Sequence, residues 1–132
     1  MWFDINQRSS TPIYRQLVEG IKQAIARGIL MQGEKLPSVR ELAARIAINP
    51  NTIAKAYQEL ERDGIIETLR GRGTFVAVQG IKAGKGERKK AVREMAEKIL
   101  VEAYYLGLTQ EELMEILGEA VEEWYRERSV GK

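Results

Sequence analysis

Arg40, Asn51, Thr52, Lys55, Arg70 and Arg72 are the residues of this chain whose types and spacing suit recognition of a polyanion. Asn51 and Thr52 carry short polar side chains that can both donate and accept hydrogen bonds, as base edges and phosphates require. Lys55 follows Asn51 by one helical turn. Arg40 stands where a helix begins, and there a guanidinium and unpaired backbone N–H groups both favour a phosphate. Arg70-Gly71-Arg72-Gly73 sets two guanidiniums in a glycine turn. Each group also has a plainer reading. Asn49, Asn51 and Thr52 can be helix caps, Arg40 a solvated charge, and the arginine–glycine run an ordinary turn.

Other chemistry lacks its residues. The 132 residues include no His and no Cys. Ser-His-Asp, Cys-His and other imidazole-based catalysis is therefore excluded. Zinc and most transition-metal sites lose their usual ligands, and no disulfide framework exists. Gly84-Lys85-Gly86 lacks the spacing of a phosphate loop. The paired glutamates of the last helix read as a solvated face, not as a separated acid/base couple. The expectation is a non-enzyme with no metal and no cofactor. No apolar run reaches the roughly 18 residues of a membrane span. Residues 1–4 lack the basic flank and apolar core of a signal peptide. A soluble cytoplasmic protein without membrane partners is expected.

The elements that must position the polar groups follow from periodicity. Thr11 and Pro12 open a first helix, with Ile13, Leu17, Ile21 and Ile25 on one face and Gly28 as the stop. Ser38 and Glu41 have capping-box spacing and start a short second helix. Asn49 and Pro50 start a third, with Ile53, Ala56, Tyr57 and Leu60 inward and Asp63-Gly64 at its end. The period then becomes that of strands. Residues 65–69 and 74–78 flank Arg70–Gly73 and read as a hairpin. Trp2, Phe3 and Ile5 are expected to tie the N-terminus to the head or to a dimer seam.

Beyond the hairpin the charge changes sign. Residues 1–86 hold 13 basic and 8 acidic groups, and residues 87–132 hold 8 basic and 11 acidic ones. The overall net charge of +2 is an average over a basic head and an acidic tail. The Gly/Lys-rich stretch 80–90 reads as a linker or helix start between residues 1–79 and 91–132. The tail reads as two helices, about 87–106 and from Thr109 to about Tyr125, with a second capping box at Thr109 and Glu112. Val92, Met95, Ala96, Leu100 and Ala103 join Ile99 on the first inward stripe.

Helix, short helix, tight turn, helix and hairpin is the order of a winged helix-turn-helix. Its second helix of the pair enters the DNA major groove by its N-terminal residues. The expected fold is mainly α with a small β-hairpin, an N-terminal winged helix-turn-helix plus a C-terminal two-helix dimerisation tail. The candidate DNA contacts are Ser38, Arg40, Asn49, Asn51, Thr52, Lys55, Arg70, Gly71, Arg72 and Gly73.

Thr11-Pro12-Ile13-Tyr14, the run from Leu36 to Ala43, the run from Asn49 to Tyr57, Leu60 to Glu67 and Arg70 to Val76 together resemble the GntR family of bacterial transcription regulators. The resemblance spans roughly residues 10–78. The short tail and Pro12-Ile13-Tyr14 are similar to its YtrA-type subfamily. The resemblance implies a dimer that binds a double-stranded operator, usually as a repressor, with an ABC-transporter operon as the suggested target. It places the family's helix-two arginine on Arg40, its polar pair on Asn51 and Thr52, and its minor-groove glycine on Gly71. Many relatives carry arginine where this chain has Pro50 and Ala54, so family operator sequences do not transfer. The aminotransferase-like tail of the MocR regulators, which share a similar head, is missing, so no pyridoxal phosphate site is expected.

A helix pair of about 40 residues is too small to bury its own stripe. Ile99, Leu113, Ile116, Leu117, Val121 and Trp124 are therefore expected to form a homodimer seam, and folding of the tail on its own head is the alternative. The effector is unknown. A small apolar ligand near Tyr104, Tyr105 or Trp124 competes with simple packing of those rings. The rival to a DNA-binding regulator is a winged-helix protein-interaction module that does not touch DNA.

Overall fold

The computed structural model describes residues 4–78 and 84–130, with side chains as far as Arg128. The chain divides into two units, residues 1–79 and 80–130. Trp2, Phe3, Gly80 and Lys82 lie outside the described residues.

The head begins with α1 (Ile13–Ala26), whose apolar stripe buries Leu17, Val18, Ile21 and Ala24. Thr11 does not cap it. Pro12 occupies the N-cap position in extended conformation, without a side-chain cap. Its carbonyl takes the N–H groups of Arg15 and Gln16. The Gln16 amide then ties the preceding segment to the helix. It accepts from the Asn6 N–H at 2.8 Å and donates to the carbonyls of Asn6 and Thr11, both at 2.9 Å. A side chain reaching back replaces a cap reaching forward. Ile5, brought down by this tie, packs against the core.

Strand β1 (Lys35–Leu36) leads into α2 (Val39–Ile46). Both halves of the capping box are made: Ser38 Oγ accepts from the Glu41 N–H at 3.1 Å, and Glu41 Oε1 accepts from the Ser38 N–H at 3.2 Å. Ala47 ends α2 in the left-handed region, at φ 54° and ψ 44°. Two residues later Asn49 starts α3 (Pro50–Arg62), accepting the Asn51 N–H on its Oδ1 at 2.8 Å, with Pro50 at the first helical position. Ile53, Ala56, Tyr57 and Leu60 turn inward.

Strands β2 (Ile66–Leu69) and β3 (Gly73–Val76) form the hairpin around a three-residue turn, Arg70–Arg72, not a four-residue one. The sheet has three antiparallel strands in the order β1-β3-β2. Strand β1 was not expected from the sequence. It pairs Lys35 with Phe75 and Leu36 with Thr74. Leu36, Ile66 and Val76 enter one core with Leu17, Ile21, Leu42, Ile53 and Leu60. The helix α3 lies at the centre, packed against α1, α2 and β2.

The second unit holds α4 (Lys85–Tyr105) and α5 (Gln110–Val130). Lys85, Lys89 and Lys90 belong to a helix, not to an irregular linker. The Thr109–Glu112 box starts α5 as its spacing predicts, at 3.0 and 3.1 Å. The two helices do not cover each other's apolar stripes. Among the described residues of the two helices only Ala103 and Leu113 are buried. Val92, Met95, Ile99 and Leu100 of α4 and Ile116 and Val121 of α5 remain exposed. Among the described residues no helix is long and apolar enough to cross a membrane.

Candidate nucleic-acid interface

The polar candidates occupy three ends of the head. The first is the start of α2. Arg40 is the second helical residue and is exposed to solvent along with Ser38. The capping box uses the Ser38 oxygen as an acceptor, and the Ser38 hydroxyl also supports the Glu41 carboxylate. The backbone N–H of Ser38, held by Glu41, keeps that carboxyl below the ordinary glutamate range.

The second end is the start of α3. Asn49 and Asn51 are exposed and Thr52 is half-buried. Asn49 spends its side-chain oxygen on the cap, so its cap role is real. The Asn51 side chain makes no hydrogen bond among the described residues, which leaves its amide available to a ligand. Lys55 is exposed one turn on, and its Nζ stands 3.8 Å from the centroid of the Tyr14 ring. Tyr57, by contrast, is core. Its hydroxyl donates to the Pro37 carbonyl at 2.7 Å, fixing α3 to the residues that precede α2. Burial pushes that phenol up to about 12.

The third end is the wing. Arg70, Gly71 and Arg72 are exposed, and the Arg72 N–H closes the turn on the Leu69 carbonyl at 2.9 Å. Gly71 has φ +79° with open space around it, so its backbone angle, not crowding, calls for glycine. Gly73 has φ +121°, and a β-carbon there would meet Lys35 Cε at 2.9 Å. Lys35 is therefore a wing cation that sequence reading missed. It lies within the strand that the sequence did not announce.

Arg40, Arg70 and Arg72 form no salt bridge among the described residues. The frame behind them is braced. Arg15 of α1 grips Glu59 of α3 through both oxygens, at 2.8 and 3.1 Å, in a half-buried site. Bidentate geometry of this kind orients as well as attracts. At the start of α3 Asn49 accepts the Asn51 N–H on its side chain and the Thr52 N–H on its carbonyl, at 2.8 and 3.0 Å.

The seam candidates lie in the other unit. Leu113 is buried, Leu117 and Trp124 are half-buried, and Ile99, Ile116 and Val121 are exposed. Tyr104 and Tyr105, at 5.2 Å edge to face, are both exposed. Among the described residues no group of acidic side chains could hold a metal ion.

The family model for gntR-family bacterial regulatory proteins matches residues 13–76, from the first residue of α1 to the last of β3. The chain is also 46% identical over 115 residues to the HTH-type transcriptional repressor YtrA of Bacillus subtilis (strain 168). That alignment spans 87% of this chain and 88% of the relative. The chain belongs to the GntR family. Its likeness to YtrA runs through head and tail alike, so this GntR-family chain is YtrA-like. The structure of a transcriptional antiterminator from Listeria monocytogenes EGD-e superposes with TM-score 0.80 at 40% identity, covering 94% of this chain and 92% of that one. The DNA-binding domain of AraR, solved in complex with operator ORX1, has TM-score 0.52 at 28% identity, covering 58% of this chain and 99% of that one. These likenesses agree with the winged helix-turn-helix read from the order of elements.

Proposed function

We propose that this GntR-family chain is a sequence-specific DNA-binding repressor that acts as a homodimer on a pseudo-palindromic operator in the cytoplasm. The observation that carries the reading is the state of α3. One face is locked into the core and braced by Arg15–Glu59, while Asn51, Thr52 and Lys55 on its leading turns are left for a ligand. Arg40, Arg70 and Arg72, without a salt bridge among the described residues, supply the phosphate contacts. Arg40 contacts backbone, Asn51 and Thr52 read bases, and the wing turn meets the minor groove.

The tail supports the dimer. It leaves Ile99, Ile116 and Val121 in water, which an apolar stripe on two helices does not tolerate alone. A second copy covers like with like, and a two-fold dimer presents two recognition helices to half-sites about one DNA turn apart. The regulated operon is proposed to encode an ABC transporter, on the resemblance to the YtrA type alone.

Two measurements test the reading. Fluorescence anisotropy on duplex DNA should show log affinity falling linearly with log salt concentration, and a flat response rejects DNA binding. Sedimentation should give a dimer at micromolar concentration, and a monomer there rejects the assembly. Selecting bound fragments from the source genome then yields the operator and its neighbouring genes.

A further inference from the structure

Lys55 is an exposed lysine on the DNA-reading helix, yet it is not free in space. Its ammonium rests over the Tyr14 ring, 3.8 Å from the centroid, across the α1–α3 contact. Tyr14 is half-buried against the head core, so the ring is a fixed platform. Arg15, the neighbouring cation, pairs with Glu59 and Glu19 and also lies 5.3 Å from the Tyr14 ring centroid, farther than the Lys55 ammonium. Those carboxylates are thereby taken, and Lys55 forms no salt bridge among the described residues. The distinction matters chemically. A carboxylate partner would hold the ammonium and cancel its charge. A ring face holds it through the quadrupole and leaves the full charge and its outward N–H groups for another acceptor.

We propose that Tyr14 is a positioning residue for DNA binding, presenting the Lys55 ammonium to a backbone phosphate without neutralising it. The proposal rests on the reading of Lys55 as a DNA contact. A lysine head on a four-carbon stem loses rotamer freedom when it is immobilised on DNA. Docking on the ring takes up part of that loss before DNA arrives, which is preorganisation. Tyr14 thus contributes to affinity without touching the duplex.

The test uses the full chain and a mixed-sequence duplex, with affinity read across a salt series. Lys55→Gln should weaken binding and flatten the salt slope by about one, the signature of one lost phosphate contact. Tyr14→Leu keeps every charge, so it should leave the slope unchanged and lower affinity about two- to fivefold, part of the cost of immobilising one long side chain at an interface. Tyr14→Phe keeps the ring and should bind like the parent. In the Lys55→Gln background, Tyr14→Leu should cost nothing further. Should Tyr14→Leu melt early, Tyr14→Met carries the same comparison. Equal losses in both backgrounds, or a Tyr14→Phe loss as large as that of Tyr14→Leu, overturn the proposal and leave a structural role. A weakened Lys55→Gln beside an unchanged Tyr14→Leu overturns the positioning role alone. An unchanged Lys55→Gln removes Lys55 from the DNA interface and the inference with it.

Discussion

The side chain of Lys35 lies across Gly73, with Cε 2.9 Å from where a β-carbon on that glycine would stand. Lys35 belongs to β1 and Gly73 opens β3, so the end of an exposed lysine on a two-residue strand passes over the base of the wing, while the antiparallel ladder joins the two strands. Two unequal demands fall on Gly73: a φ of +121°, which is strained for any other residue, and the end of the Lys35 side chain, which can swing aside. Gly73→Ala should therefore lower head stability by about 1–3 kcal/mol, the usual cost of a side chain held in such a backbone region. Adding Lys35→Ala removes the crowding but not the backbone strain. Thermal unfolding of the double variant should thus recover only part of the loss, and full recovery would show that crowding is the whole effect.

The Ser38–Glu41 box makes the start of α2 sensitive to acid. The Ser38 backbone N–H and then its hydroxyl hold the Glu41 carboxyl below its ordinary value. A depressed folded-state pKa contributes stability that is present above the unfolded pKa and lost as pH falls through the folded one. Wild type and Glu41→Gln should differ most in melting temperature near neutral pH. The difference should shrink as pH drops below the ordinary glutamate range. A constant difference across that window removes the ionised box from the account. Glu112, lowered in the same way by Thr109, should show parallel behaviour in α5.

Ala47 is the one described non-glycine residue with positive φ, at 54°. It makes the tight turn between α2 and α3, and its side chain is exposed, so little packing is at stake. A left-handed backbone costs an L-residue roughly 1–2 kcal/mol, part of which glycine returns through its freer unfolded chain. Ala47→Gly should stabilise the head by about 0.5–1 kcal/mol, or several degrees in melting temperature for a domain this size. A fall in melting temperature would mean that the unfolded-state entropy outweighs the relieved strain. DNA affinity should hold, since the turn keeps its path.

What the residues revealed in advance divides by range of interaction. Both capping boxes and the Asn49–Pro50 start of α3 were legible, because cap chemistry is encoded within three residues. Thr11 misled for the same local reason: the extended Pro12 took the cap position, and the closing group, Gln16, reaches back from inside the helix. Strand β1 was invisible because its two residues acquire meaning only from Phe75 and Thr74, about 40 positions on. Lys35 was missed with it. Tyr14–Lys55 and Arg15–Glu59 depend on how α1 crosses α3, which no periodicity states. In the tail the stripe was readable. Its failure to close within one chain was suggested by size, and the exposed Ile99 and Ile116 give that suggestion its physical form.

Arg40 and Asn51 should fail in different ways when removed. Arg40 sits exposed at the second position of α2 and forms no salt bridge among the described residues, so its charge is available to the phosphate backbone. Arg40→Ala should weaken binding to every duplex alike and flatten the salt slope by about one. Asn51 holds its place at the start of α3 by its backbone N–H, bonded to Asn49, while its side-chain amide is left for a base edge. Asn51→Ala should keep the helix start and the salt slope. It should relax preference at one base position of the selected operator by roughly 1–3 kcal/mol, with Thr52→Ala acting at a neighbouring position. Affinities on the operator, on single-base variants of it and on random duplexes separate the two patterns. Equal losses on specific and random DNA for all three variants would contradict the division between a backbone arginine and a base-reading pair.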